Sequence, residues 1–172
     1  MHAVICTVHG KIVARDAAEC DSFHGFVCTI EPEPNSRVYK EGRVQTLGGA
    51  EGVTCEDGSV CDLVSDVILV DEHELSMRTN DFRFDAKEHV PLIKQSKIES
   101  FEASYNAPLR VENAQYIPVM VNVGGGRCKS VGLVLVALKQ IEAGEEIGVA
   151  YQTPYWISAV NRTRSSGKGV DR

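Results

Sequence analysis

Ile141-Glu142-Ala143-Gly144-Glu145-Glu146-Ile147-Gly148-Val149-Ala150-Tyr151, followed by Pro154-Tyr155-Trp156, is the stretch on which the fold is read. Ala143-Gly144 is a turn signal, because glycine takes positive φ at little cost. Ile147 and Val149 alternate with small residues, which predicts a strand over 145–151 closed by Tyr151. The only Trp of the chain follows five residues later. A phenol delivered at the end of a buried strand beside an aromatic wall is a candidate active-site element.

Working upstream, Tyr116–Val123 and Val131–Leu138 read as two strands joined across Gly124-Gly125-Gly126, a hairpin tip. That triple glycine lacks the strand–loop–helix setting and the Lys-Ser/Thr ending of a phosphate loop. Val90 to Phe101 is the best helical candidate, with Pro91 in its first turn. Asp71–Asn80 has the charge pattern to start a short helix. Gly25–Ile30 reads as a strand, Val67–Val70 as a compact apolar one, and Arg43–Leu47 as a short one. Ala3–Val8 and Lys11–Ala14, split by Gly10, predict a first hairpin. Val53–Cys55 and Val60–Leu63, around Glu56-Asp57-Gly58-Ser59, predict another with a primed turn. The expected class is mainly β, with short strands in several small sheets and one or two short helices.

At 172 residues the chain has the length of one domain. Its 43% hydrophobic and 24% charged content is that of a globular protein rather than a disordered one. The longest apolar run, Val131 to Leu138, is far below the roughly 20 residues a membrane helix needs. Met1–Cys6 lacks the basic-then-apolar pattern of a secretory signal, so an intracellular protein with reduced thiols is expected. A net charge of −6 disfavours general nucleic-acid binding and suits a basic substrate. The four basic residues after Ser158 face one acid, and Ser165–Gly169 has linker composition; a basic, flexible tail over 158–172 is expected. Cys6, Cys20, Cys28, Cys55, Cys61 and Cys128 contain no CxxC pair, so scattered thiols and no metal are expected, the alternative being that His9, His24, His73 and His89 combine with Cys in space.

The closing motif resembles that of SET-domain methyltransferases, in which I-x-x-G-E-E-I leads to a catalytic Tyr and, in small viral members, to a Tyr-Trp pair. The likeness extends upstream to Tyr105-Asn106-Ala107-Pro108 and Glu112-Asn113-Ala114, in the family's order, and is clearest over 105–156. It implies a β-clip fold over residues 1–157 with a knot-like C-terminal crossing. It implies S-adenosyl-L-methionine held by Asn106, Ala107, Gly25, Phe26 and Trp156, with Asn113-Ala114 structural. Tyr151 is then the catalytic residue, and Tyr155 and Tyr105 line the substrate channel. The implied reaction is in-line methyl transfer to a lysine amine of a basic, histone-like protein. A free lysine is neutral in only about one molecule in a thousand near pH 7, so a dry aromatic channel must lower its pKa.

The chain departs from the family pattern at Ala107 and Pro108, where His-Ser is usual, at Gln152, where Gly is usual, and in having one glycine at Phe23-His24-Gly25. Tyr39-Lys40-Glu41-Gly42 resembles the family's following K-G segment. Two other readings share the motif: a SET-derived binding module without turnover, and another β-clip domain.

Overall fold

The computed structural model describes residues 3–49, 53–107 and 111–165, with side chains described through Arg162. The protein is mainly β, with several small sheets and few helices. Two compact units are each built from two chain segments: Met1–Arg78 with Ala114–Gln140, and Thr79–Asn113 with Ile141–Arg172.

The first unit is organised by two long strands, β9 (Ala114–Gly124) and β10 (Arg127–Ala137). They extend further than the sequence pattern suggested, because the turn needs only Gly125-Gly126, both at positive φ (61° and 71°). β10 also pairs antiparallel with β1 (Val4–Val8) and parallel with β6 (Val60–Asp62), while β9 pairs parallel with β4 (Arg37–Lys40), which pairs with β5 (Arg43–Thr46). Glu41-Gly42, both left-handed, form that tight turn. A second sheet places β7 (Asp66–Asp71) between β2 (Lys11–Ala14) and β3 (Gly25–Thr29). Beside β2, α1 spans Ala18–Ser22.

The expected first hairpin is therefore corrected. β1 and β2 are both strands, but each pairs with a different sheet. The apolar runs of β10 and β7 offer more buried surface than the two short strands offer each other. Gly10 permits the switch, since a Cβ there would lie 2.4 Å from the Leu69 carbonyl oxygen. Around residue 58 the pairing reduces to a bridge of Thr54 with Val60. Gly58 alone of the Asp57-Gly58 pair has positive φ, so the turn is not a primed one. Val8, Ile30, Ile68, Val70 and Leu133 form one buried cluster, and Ile117, Val134 and Val136 another.

The second unit holds the remaining elements: β8 (Asn80–Asp81), α2 (Ala86–Lys94), α3 (Ile98–Asn106), β11 (Gly148–Val149) and α4 (Thr153–Ser165). The helix expected over 90–101 is two helices. Asp85 caps α2 through the Lys87 N–H, placing Pro91 inside the helix, and Ser96, at φ 58°, breaks the chain before α3. The charged segment before it yields a 3-10 turn at Leu75–Met77 in the first unit. Among the described residues there are four α-helices, more than the one or two expected. α4 runs past the boundary placed at 157, and Val160 is buried against Ile93, Phe101 and Tyr105, so the basic tail is helical through Ser165. The rest of the linker-like stretch lies outside the described residues.

The opening stretch contributes only two strand residues, fewer than the seven expected. β11 pairs parallel with β8, Gly148 opposite Asn80 and Val149 opposite Asp81. Its turn is as read: Glu145 N–H reaches the Glu142 carbonyl with Gly144 at φ 85°. Gly148 is fixed by packing, because a Cβ there would fall 2.2 Å from the Phe82 ring. Gly148→Ala is expected to cost about 1–3 kcal/mol as the ring is displaced. Thermal unfolding measures this, and Phe82→Leu should recover part of the loss in the double variant.

Candidate functional site

The second unit contains a cleft of about 820 Å³, within the range of roughly 300–1,000 Å³ usual for small-molecule sites. Its walls include Asp81, Phe84, His89, Ser104, Tyr151 and Trp156.

Asp81 organises it. β8 presents this carboxylate so that Oδ2 accepts from the Tyr105 hydroxyl (2.8 Å), the Trp156 indole N–H (2.7 Å) and the Tyr151 backbone N–H (3.0 Å). Oδ1 accepts from the Arg83 backbone N–H at 2.8 Å. One side chain thus joins β8, α3, the end of the opening stretch and α4. The Arg83 guanidinium grips Glu112 with two hydrogen bonds, at 2.8 and 2.7 Å, and holds that carboxyl below its ordinary pKa.

The aromatic wall is continuous. Trp156 stacks on Phe84 with ring centroids 3.5 Å apart and planes 7° from parallel, and lies 5.9 Å from Tyr151, nearly parallel to it. Tyr155 meets both Tyr151 and Trp156 edge-on. The Tyr151 hydroxyl donates to the Thr79 carbonyl. On another wall the His89 ring accepts the Asp85 N–H at Nδ1 (3.0 Å) and meets Ser104 Oγ through Nε2 (3.1 Å). A ring that accepts at Nδ1 carries its proton on Nε2, so Ser104 accepts from it and passes its own proton toward Glu88. The direction of these bonds is opposite to that which activates a serine nucleophile.

Of the residues singled out from sequence, Tyr151, Trp156 and Ala107 line this cleft. Asn106 does not: it is the exposed last residue of α3, in a segment that is helix rather than loop, because Ile98, Phe101 and Tyr105 recur at helical spacing with the last two buried. Tyr105 is a buried anchor, not a channel wall; burial, reinforced by Asp81, pushes its pKa up. Tyr155 is 38% exposed on the aromatic cluster and is not among the lining residues. Gly25 and Phe26 belong to β3 of the first unit, and the described residues that line the cleft belong to the second. Gly25 is there explained by packing, since a Cβ would meet the Val70 carbonyl oxygen at 2.4 Å. Pro108 lies outside the described residues.

Asn113 is a clamp. Wholly buried, it donates from Nδ2 to Glu145 Oε1 (3.1 Å) and the Glu146 carbonyl (2.9 Å), and accepts the Gly148 N–H at Oδ1 (2.9 Å). Glu145 and Glu146 are exposed carboxylates at the turn, that of Glu145 tied to Asn113 and that of Glu146 accepting from Asn80. The sequence reading missed Asp81, Glu88 and Ser104, which carry no motif. The only available signal was the Asn80-Asp81-Phe82-Arg83-Phe84 alternation of polar and aromatic residues.

None of the protein-family models, curated proteins or solved structures compared with the chain matches it. Among the described residues no helix is long and apolar enough to cross a membrane.

Proposed function

We propose that the protein is an S-adenosyl-L-methionine-dependent protein-lysine methyltransferase of SET type, with Tyr151 the catalytic residue and the cleft of the second unit its reaction chamber. The observation that carries this reading is that Tyr151, Trp156 and Ala107, singled out by the family motifs, line one cleft. Asp81, Asp85, Glu88 and Glu146 line the same cleft, and Arg83, the one arginine among its described lining residues, is paired with Glu112. Carboxylates beside aromatic faces suit a sulfonium or an ammonium. When bound, the cofactor supplies the methyl group. Ala107 and the Trp156 face would hold it, while the aromatic wall would exclude water from an arriving lysine and favour its neutral form. The Tyr151 phenol would fix the direction of approach. Catalysis by these residues is alignment and electrostatics.

A second reading is a binding module for cationic side chains without turnover. The exposed Tyr155 edge, which widens the aromatic surface beyond the cleft, favours it. Calorimetry with S-adenosyl-L-methionine separates the two. Saturable binding accompanied by a change in Trp156 fluorescence is expected. No heat at millimolar cofactor removes the enzyme reading and leaves the binding module.

A further inference from the structure

The cysteines are not all scattered. In the first unit Cys55, Cys61 and Cys128 are buried with their sulfurs in a near-equilateral triangle: 3.4 Å from Cys55 to Cys61, 3.3 Å from Cys55 to Cys128 and 3.1 Å from Cys61 to Cys128. The expectation of scattered thiols is corrected here for these three, since it rested on the absence of CxxC. Spacing along the chain does not register a ligand brought in by a neighbouring strand. Cys55 and Cys61 flank the turn at Glu56–Ser59, and Cys61 stands directly opposite Cys128 where β6 pairs with β10.

We propose that these three thiolates bind one thiophilic d10 metal ion, Zn²⁺ or Cu⁺. Three features carry the inference. An ion about 2.3 Å from each sulfur, the zinc–thiolate distance, caps such a triangle from about 1.3 Å above its plane, as the apex of a pyramid with a further ligand position on the outer side. A disulfide would use two of the sulfurs and leave the third with no role, whereas a single ion uses all three. The frame is rigid: the Cys55 N–H reaches the Ser59 carbonyl (2.8 Å), the Gly58 N–H the Cys55 carbonyl (2.9 Å) and the Cys61 N–H the Val53 carbonyl (2.7 Å).

Charge supports the same conclusion. Lys40 is wholly buried, an uncommon place for an ammonium unless anions surround it. Its Nζ contacts Asp57 Oδ2 at 2.6 Å and Ser59 Oγ at 2.5 Å, and that hydroxyl lies 3.8 Å from Cys128 Sγ. Three thiolates on a divalent or monovalent ion leave net negative charge, and Ser59 links Cys128 to the Lys40–Asp57 ion pair beside it. Soft sulfur donors select Zn²⁺ and Cu⁺ over oxygen-seeking ions. Val38, Leu47, Val53 and Met120 pack with the three cysteines in one buried cluster, which keeps bulk solvent from the sulfurs. Binding exchanges the thiol protons for the metal, so protons are released as it loads.

The test uses the full chain, reduced and freed of metal under anaerobic conditions. Zn²⁺, Co²⁺ and Cu⁺ are titrated separately against competing chelators. One ion per chain is expected, with a thiolate-to-cobalt charge-transfer band in the Co²⁺ form. Cys61→Ser and Cys128→Ser should each weaken binding by about 100-fold, while Cys20→Ser leaves it unchanged. Alkylation mapping on the unmutated protein remains informative if those variants do not fold. Metal should protect Cys55, Cys61 and Cys128 and leave Cys6, Cys20 and Cys28 as reactive as before. Failure of all three ions to bind, or equal alkylation of all six thiols with and without metal, overturns the proposal.

Discussion

Asp81→Ala is expected to destabilise the protein by about 3–5 kcal/mol, with the loss concentrated in the second unit. The carboxylate accepts four hydrogen bonds, from the Tyr105 hydroxyl, the Trp156 indole and the backbone N–H groups of Tyr151 and Arg83. Removing it deprives those donors of their acceptor at once. A buried donor left unsatisfied costs about 1–3 kcal/mol, and Tyr105 is 2% exposed, while water from the cleft that Asp81 lines offsets part of the loss. The losses are not additive, because the donors belong to one network. Asp81→Asn keeps the shape and a carbonyl oxygen and should lose less. Urea unfolding followed by tryptophan fluorescence reads this unit directly, since the protein's one Trp is Trp156. A variant within about 1 kcal/mol of the parent would show that the four bonds are replaceable.

The centrality of Asp81 also marks where the sequence stops being informative. The turn at Ala143-Gly144, the long β9–β10 hairpin and the buried strand β7 are legible because each depends on neighbours along the chain. Pairing partners are not. β1 and β2 read as a hairpin and belong to separate sheets, since the competition is decided by apolar strands about sixty and well over a hundred residues away. The candidate site divides the same way. Tyr151 and Trp156 were found through a local motif. Asp81 was not, because one aspartate in a charged segment looks like any other until Tyr105 and Trp156 converge on it. Asn106 was misplaced because a motif position was followed where helical spacing, with Phe101 and Tyr105 four apart, was the stronger signal. The cysteine triangle escaped for the reason that Asp81 did: Cys128 stands 67 residues beyond Cys61 and meets it only through strand register.

Tyr151→Phe is expected to abolish measurable methyl transfer to a lysine-rich protein mixture, a loss of about 100-fold or more if the phenol orients the reacting groups. The same change should leave the fold nearly intact. The Tyr151 hydroxyl donates to one backbone carbonyl, that of Thr79, and a hydrogen bond of this kind contributes about 0.5–1.5 kcal/mol. The ring itself, stacked near Trp156 and edge-on to Tyr155, is retained by phenylalanine. Stability and activity therefore respond on different scales, and this separation gives the experiment its force. Transfer lost with cofactor binding preserved assigns the hydroxyl to the reaction. Transfer that persists in Tyr151→Phe removes Tyr151 from that role, whatever happens to the melting temperature. If the parent protein transfers no methyl group, a trimethylammonium ligand becomes the decisive probe. Tyr151→Phe should bind it almost as well as the parent, because a cation on an aromatic face needs the ring and not the hydroxyl, whereas Tyr151→Ala should bind it poorly.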